Sequence, residues 1–154
     1  MIRLSRLSDY GIVLMSHLAG LGNGEPHNAR EIAAEAGLPQ PVVSKLLKAL
    51  AREGLLESHR GAKGGYSLAR SPKEISAAEM IAALEGPIGL TECTVHPGEC
   101  AQEASCHVRE PWQRINAVVR EALANVTLAD LATSPLAGQI VELSELGVDL
   151  GNGA

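Results

Sequence analysis

The hydrophobic positions in the first part of the chain predict helices separated by short turns. Apolar residues recur at helical spacing over residues 7–21, and Ser8 is the expected N-cap of this helix. The run Gly-Asn-Gly-Glu-Pro at residues 22–26 interrupts the pattern and predicts a loop. One helix therefore ends at this loop, and the helical pattern restarts beyond it.

A short helix, a tight turn and a second helix are predicted next. Asn28, with Glu31 three residues later, is a capping-box pattern and opens a helix that ends at Gly37. Pro41 suits a first helical turn, where no backbone N–H is needed, and predicts a helix that continues to about Glu53. Two helices joined by a short turn containing glycine are typical of a helix-turn-helix unit.

The second of these helices has two distinct faces. Its apolar face consists of Val43, Leu46, Leu47 and Leu50. Its opposite face carries short polar and cationic side chains: Gln40, Pro41, Ser44, Lys45, Lys48 and Arg52. A helix that packs by one face and presents such groups on the other suits the major groove of DNA. An ordinary solvated face has the same pattern, so this helix alone leaves both interpretations open.

The segment after this helix favours the DNA-binding interpretation. Residues 55–60 and 66–70 predict two strands, and the Gly-Ala-Lys-Gly-Gly run between them predicts a turn. A hairpin directly after a helix-turn-helix unit is a wing. Its loop carries Arg60 and Lys63 among glycines that allow a close approach of the backbone to phosphates or a minor groove.

The second half of the chain predicts a helix that could join two copies. Ser76 and Glu79 form another capping box, which opens a helix to about residue 85. A longer helix is predicted from Pro111 to about Val126. Its apolar residues are spaced as a heptad seam: Trp112, Ile115, Val119, Ala122 and Val126. This seam predicts a dimerisation surface, although packing on the protein's own core would produce the same spacing.

These elements together predict a mainly α fold, a winged helix-turn-helix domain with a long C-terminal dimerisation helix. We assign residues 1–88 to the DNA-binding domain, 89–110 to a cysteine-containing loop, 111–132 to the dimerisation helix and 133–154 to a tail. A short helical turn is expected within the third of these segments, at 127–132.

Charge supports a contact with a polyanion, although the formal net charge is −5. Residues 1–75 carry ten Lys and Arg against seven Asp and Glu, whereas residues 76–154 carry three Arg against eleven acids. The cations include Arg3 and Arg30, which we add to the candidate DNA-binding residues. We expect double-stranded operator DNA and a second copy of the chain as partners.

Other classes of protein are disfavoured by what the sequence lacks. It has no apolar run of about 20 residues and no apolar N-terminal signal, so a cytoplasmic protein without a membrane partner is expected. It has no Ser/His/Asp order, H-E-x-x-H motif or P-loop, so an enzyme is not expected.

The cysteines are the most specific chemical feature. Cys93, Cys100 and Cys106 are the only three in the chain, and they lie in a polar segment predicted as a loop. Their neighbours are Glu, Gln, Thr, Ser and His, which argues against thiols buried in the core. The spacing leaves open a zinc site with one His, a redox switch, and an iron–sulfur cluster.

Several motifs along the chain occur together in one known family: Leu4-Ser5-Arg6-Leu7-Ser8-Asp9-Tyr10-Gly11, Ile32-Ala33-Ala34-Glu35-Ala36-Gly37, the wing Arg60-Gly61 with Gly64-Gly65-Tyr66, the three cysteines before a helix, and Asn125-Val126-Thr127-Leu128. Through these motifs residues 1–132 resemble the IscR-like branch of the Rrf2 transcriptional regulators. The first motif and the cysteine segment are most similar to regulators of the SUF cluster-assembly operon.

This resemblance implies a homodimer that represses iron–sulfur cluster assembly genes, with a two-iron two-sulfur cluster on Cys93, Cys100 and Cys106. Related nitric-oxide sensors imply Asp9 of the partner subunit as the fourth ligand. The cluster-homeostasis branch has a ligand His three residues after the last cysteine, a position that Arg109 occupies here. His107 is then the other candidate for the fourth ligand, with His96 behind it. A nitric oxide or redox sensor of the same family, or a zinc-stabilised interaction module, is the alternative function.

Overall fold

The fold was obtained as a computed structural model that describes residues 3–22 and 24–133. Nearly all of the predicted tail at 133–154 therefore lies outside the described residues. The first helix, α1, spans Arg6–Leu21. Its N-cap is Ser5, whose hydroxyl accepts from the Ser8 N–H at 3.1 Å. The prediction of Ser8 as the N-cap was wrong, because the helix begins one turn earlier and Ser8 is buried inside it.

The helix-turn-helix unit forms as predicted. The α2 helix spans Ala29–Ala36, and α3 spans Gln40–Arg52. The Asn28 side chain accepts from the backbone N–H of Glu31 at 2.9 Å, and the Glu31 carboxylate accepts from the Asn28 N–H at 3.3 Å. Gly37, at a φ of 66°, ends α2 in the left-handed conformation that favours glycine. Local capping thus fixes both ends of α2, whereas α3 begins without a side-chain cap and has Pro41 in its first turn, as predicted.

The predicted wing is an antiparallel hairpin of β1, Leu56–His59, and β2, Gly65–Leu68. Both strands are shorter than predicted, and β2 also pairs outside the hairpin: the Tyr66 N–H donates to the His27 carbonyl at 2.8 Å. Gly65 makes this pairing possible, since its φ is 152° and a Cβ there would collide with the His27 carbonyl. The wing is thereby tied to the loop before α2.

The second half contains more helix than predicted. The α4 helix spans Ala77–Glu85, α5 spans Glu92–Val95, α6 spans Arg109–Ala124 and α7 spans Leu128–Thr133. The cysteine segment is therefore not only a loop: it contains α5 and a 3-10 turn at Glu103–Ser105. The helical turn predicted after the long helix is confirmed by α7.

The long helix ends earlier than predicted, and Val126 is not part of it. The Val126 carbonyl accepts from the Ala77 N–H at 2.8 Å, and the Leu128 N–H donates to the Ile75 carbonyl at 2.7 Å. These backbone bonds hold the chain extended against the start of α4, so the helix stops at Ala124. Leu128 then enters the core, and α7 packs on α1.

The core of the described residues is aliphatic and lies among α1, α2, α3, α4 and α7. Its fully buried side chains include Leu14, Met15, Ile32, Val43, Leu47, Leu50, Ile75, Met80 and Leu128. The described chain contains no helix long and apolar enough to cross a bilayer.

Glu85 joins the beginning of α1 to the end of α4. Its carboxylate accepts from the Ser5 N–H at 2.7 Å. Hydrogen bonds from the Ser8 hydroxyl and the Ser5 N–H lower the pKa of Glu85 below its ordinary value, because both stabilise the ionised form. A carboxyl of this kind stabilises the fold above its unfolded pKa, and this contribution is lost as the pH falls through the folded pKa.

Replacing Glu85 by Gln is expected to lower the melting temperature by about 3 °C near neutral pH, with the difference vanishing in acid. The unfolded pKa of the carboxyl is about 4.5, so the two melting curves should converge below that pH. Circular dichroism melts from neutral to acidic pH measure this. Glu99→Gln, at an exposed carboxyl on the cysteine segment, is the matched control and should follow wild type. Equal melting temperatures for Glu85→Gln and wild type at neutral pH would contradict the assignment.

Candidate functional site

The α3 helix buries one face and exposes the other, as its sequence predicts. Val43, Leu46, Leu47 and Leu50 are all buried. On the opposite face Gln40, Pro41, Lys45 and Lys48 are exposed and Ser44 is half-buried. Packing therefore fixes the helix by its apolar side, and the polar side of its N-terminal half is free to meet a partner.

The lysines of α3 and the two cations of the wing loop have no ion-pair partner in the described part of the chain, unlike several other cations. Arg52, the last residue of α3, lies 3.5 Å from Glu53. Arg70 lies 2.8 Å from Glu79, and Arg114 lies 3.0 Å from Glu110. The exposed cations without such a partner include Arg30, Lys45, Lys48, Arg60 and Lys63. Unpaired cations on a helix-turn-helix unit and its wing form a surface suited to phosphates.

Arg3 lies elsewhere. It lines a groove of about 400 Å³ together with Glu85 at the end of α4 and Val119 on α6. We therefore leave Arg3 out of the DNA surface that we propose below.

The apolar seam of α6 is largely exposed in the single chain. Trp112 is 40% exposed, Ile115 46% and the neighbouring Val118 61%. Val119 is half-buried and Ala122 is exposed. The only buried residue of α6 is Asn116, so the seam does not pack on the protein's own core. A contiguous exposed apolar face of this kind marks an interaction surface.

The three cysteines are free thiols placed between the winged domain and α6. Cys93 lies on α5 and is only 9% exposed, with its Sγ 3.3 Å from the Thr91 hydroxyl. Cys100 and Cys106 are half-buried. The expectation that no cysteine is buried was wrong for Cys93, because α5 folds against α6 and covers it.

The predicted ligands are not gathered around a common point. In the part of the chain that the structure describes, no three Cys, His, Asp or Glu side chains form a group that could hold a metal ion. His96 and His107 are exposed on the segment, and Asp9 is exposed on α1. Three free thiols on one segment are the ligand type that iron–sulfur clusters use. Because they are not grouped here, the segment would have to bring them together to bind one cluster.

The segment is instead organised around Glu103. This carboxylate accepts from the Gly98 N–H at 2.6 Å, and its other oxygen lies 2.7 Å from Arg109 Nη2. The Glu103 side chain is 10% exposed and that of Arg109 is 43% exposed, so water reaches the pair from the arginine side. Sequence reasoning missed Glu103, whose only signal was an acid near the Arg109 that replaces the family's histidine. It also missed Asn116, which carried no signal.

Comparison with known proteins decides the family. Residues 4–134 match the family model of Rrf2, described as iron-dependent transcriptional regulators. The chain belongs to the Rrf2 family. This Rrf2 protein is a DNA-binding transcriptional regulator rather than an enzyme, in agreement with the helix-turn-helix unit and wing described above.

Individual relatives cover nearly the same part of the chain. The HTH-type transcriptional regulator CymR of Bacillus subtilis is 35% identical over 132 residues, which is 86% of this chain and 91% of CymR. The regulator NsrR of Geobacillus kaustophilus is 29% identical over 131 residues, or 84% of this chain and 89% of NsrR.

Solved structures confirm the mainly α winged-helix fold. CymR, described as the global cysteine regulator of B. subtilis, superposes with a TM-score of 0.67 at 37% identity, covering 86% of this chain and 97% of CymR. T. potens IscR superposes with a TM-score of 0.63 at 30% identity, covering 84% of this chain and 85% of IscR.

Proposed function

We propose that this Rrf2 regulator is a homodimer that represses iron–sulfur cluster assembly genes and senses cluster status through Cys93, Cys100 and Cys106. The observation that carries the proposal is the position of these thiols. All three lie on the one segment that joins the winged domain to the exposed α6 seam. A chemical change on this segment acts on the element that sets the distance between two DNA-reading domains.

The DNA-binding surface in this proposal consists of α3, the wing and the start of α2. The N-terminal residues Gln40, Pro41 and Ser44 of α3 read base edges in the major groove. The cations contact phosphates: Arg30, Lys45, Lys48, Arg60 and Lys63. In a dimer the α6 helices hold two such surfaces, so the spacing of the half-sites follows from how the helices cross.

The three thiols would hold an iron–sulfur cluster, most simply with two irons and two sulfides. When bound, the cluster would supply ligand bonds that are lost on oxidation or iron shortage. Asp9 of the partner subunit and His107 are the first candidates for the fourth ligand, and His96 ranks after them.

A thiol-redox regulator of the same family is the second candidate. It needs only two thiols to meet, so it is compatible with the finding that no three metal-ligating side chains are grouped in the described residues. In this alternative, peroxide oxidises two thiols to one disulfide and is itself reduced to two waters. Only the first candidate predicts a prosthetic group, so one purification separates the two.

Anaerobically purified wild type is expected to be brown, to contain iron and sulfide, and to lose both in each of the variants Cys93→Ser, Cys100→Ser and Cys106→Ser. Ser105→Ala, beside the last cysteine, is the matched control and should retain both. Asp9→Ala and His107→Ala then test the fourth ligand by their spectra. Colourless protein with one zinc per chain, or with a disulfide as its only modification, would overturn the cluster.

Gel shifts on the region upstream of the protein's own gene test the switch. Because regulatory coupling free energies are typically 1–3 kcal/mol, operator affinity should differ about 5–150-fold between loaded and metal-free protein. Equal affinities, together with unchanged affinity in all three serine variants, would reduce the protein to a winged regulator without a sensor.

A further inference from the structure

Asn116 is an unusual residue for its position on α6. It is the only buried residue of this helix and one of three buried polar residues in the described part of the chain. Burial of an amide is costly unless both of its ends are hydrogen-bonded. Its Oδ1 accepts from the Leu90 N–H at 3.1 Å, and its Nδ2 donates to the Ile88 carbonyl at 3.5 Å. The side chain therefore holds two backbone groups of the linker between α4 and α5.

The same stretch of linker is held from its other side by α5. Gly89 lies between the two residues that Asn116 binds, and a Cβ at Gly89 would collide with Val95 and approach the Thr94 hydroxyl to 3.0 Å. The linker is thus enclosed between an amide of α6 and the helical turn that carries Cys93. The contact at Gly89 is too tight to absorb a displacement of α5. Such a displacement therefore moves the linker as a whole.

Asn116 also borders the space next to the thiol. A cavity of about 400 Å³ is lined by both Cys93 and Asn116, together with Thr94, Gln113, Ala117 and Arg120. We propose that Asn116 is the positioning residue through which a change at Cys93 shifts α6, and with it the spacing of the two α3 helices in a dimer. The regulatory part of this inference, the effect on operator binding, rests on the proposed function. Its mechanical part, that Asn116 restrains the linker and Cys93, does not.

The mechanical part is tested in metal-free protein. Asn116→Leu removes both hydrogen bonds at similar volume, and loss of about 1 kcal/mol corresponds to about fivefold in local opening. We expect Cys93 to be alkylated by iodoacetamide about fivefold faster than in wild type, with Cys106 of the same sample as the internal reference. Gln113→Leu is the matched control, because the Gln113 side chain lines the same cavity and makes no hydrogen bond within the described residues. An unchanged Cys93 rate overturns the proposal.

The regulatory part is tested by the ratio of operator affinities with and without iron and sulfide. In Asn116→Leu this ratio should fall to near one while iron content, dimer mass and metal-free affinity stay at wild-type values. A wild-type ratio in this variant overturns the proposal and leaves the proposed function standing. A ratio of one in wild type instead overturns the proposed function alone. Loss of iron from the variant would assign Asn116 to the ligand site and also overturn the proposal.

Gly89→Ala disturbs the same contact from the α5 side and serves as the second variant. It should lower the affinity ratio and raise the alkylation rate of Cys93, as Asn116→Leu does. If Asn116→Leu does not fold, as judged by circular dichroism, Gly89→Ala decides the outcome alone. Wild-type values for both of its readouts overturn the proposal.

Discussion

Val118→Glu is expected to convert the proposed dimer into monomers and to lower operator affinity by about 10²–10⁴-fold, the gain that two linked binding modules provide. Val118 is the most exposed of the large hydrophobic residues on α6, and it borders Ile115 on the seam. Burying a carboxylate against a second apolar helix without a partner costs several kcal/mol, so the association should fail. Light scattering gives the mass, and gel shifts give the affinity.

The control for this change is Gln113→Glu, which adds the same charge to the same helix. Gln113 lines the cavity beside Cys93 rather than the seam, so the dimer and its operator affinity should remain. Circular dichroism of the Val118 variant should still show the wild-type helical content, because the side chain is 61% exposed in the single chain. Its melting temperature should fall only by the stabilisation that the dimer supplies. If the Val118→Glu protein is still a dimer, the dimer interface does not lie on this seam.

Combined replacement of Lys45 and Lys63 by Ala is expected to lower operator affinity on the order of 10²-fold at physiological salt and to reduce the salt slope by about 4. In the proposed dimer the two substitutions remove four cations, and each phosphate contact releases close to one counterion. Both lysines lack an ion-pair partner among the described residues, so their removal leaves no acid unpaired. Binding titrations over a range of salt concentrations give both numbers.

Two further variants separate charge at the DNA surface from other effects. Arg114→Ala removes a cation from α6, where it pairs with Glu110 at 3.0 Å, and should leave the slope unchanged. Gln40→Ala, at the start of α3, should instead relax sequence preference and keep the slope, because base contacts carry specificity and phosphate contacts do not. A wild-type slope in the double lysine variant would exclude this face as the DNA surface.

Local pattern predicted the winged domain well, because its helix ends are set by nearby residues. The Asn28–Glu31 and Ser76–Glu79 capping boxes both form as predicted, and Gly37 ends α2. The error at Ser8 has the opposite origin, because a distant residue decides where α1 begins. Two serines three residues apart both qualify as N-caps, and the Glu85 carboxylate, eighty residues from Ser5, holds the helix start at Ser5.

The cysteine segment was predicted less well, because long-range contacts decide its form. Its residue types indicate thiol chemistry, but nothing in their spacing indicates that Cys93 is buried where α5 packs on α6, or that Glu103 lies 2.7 Å from Arg109. Asn116 is a polar residue on a helix rich in polar residues, so its burial follows only from where the linker passes.

The amino-acid sequence by itself determined the order of the helices, the two faces of α3, the wing and the clustering of all three thiols, since periodicity, caps and residue types are local properties. Only the tertiary structure decided which side of α6 stays exposed, where that helix ends, and that the Asn116 amide hydrogen-bonds the linker between α4 and α5. Each of these depends on atoms far apart in the chain that meet when α4, α5 and α7 pack, and no short stretch of residues encodes such a meeting.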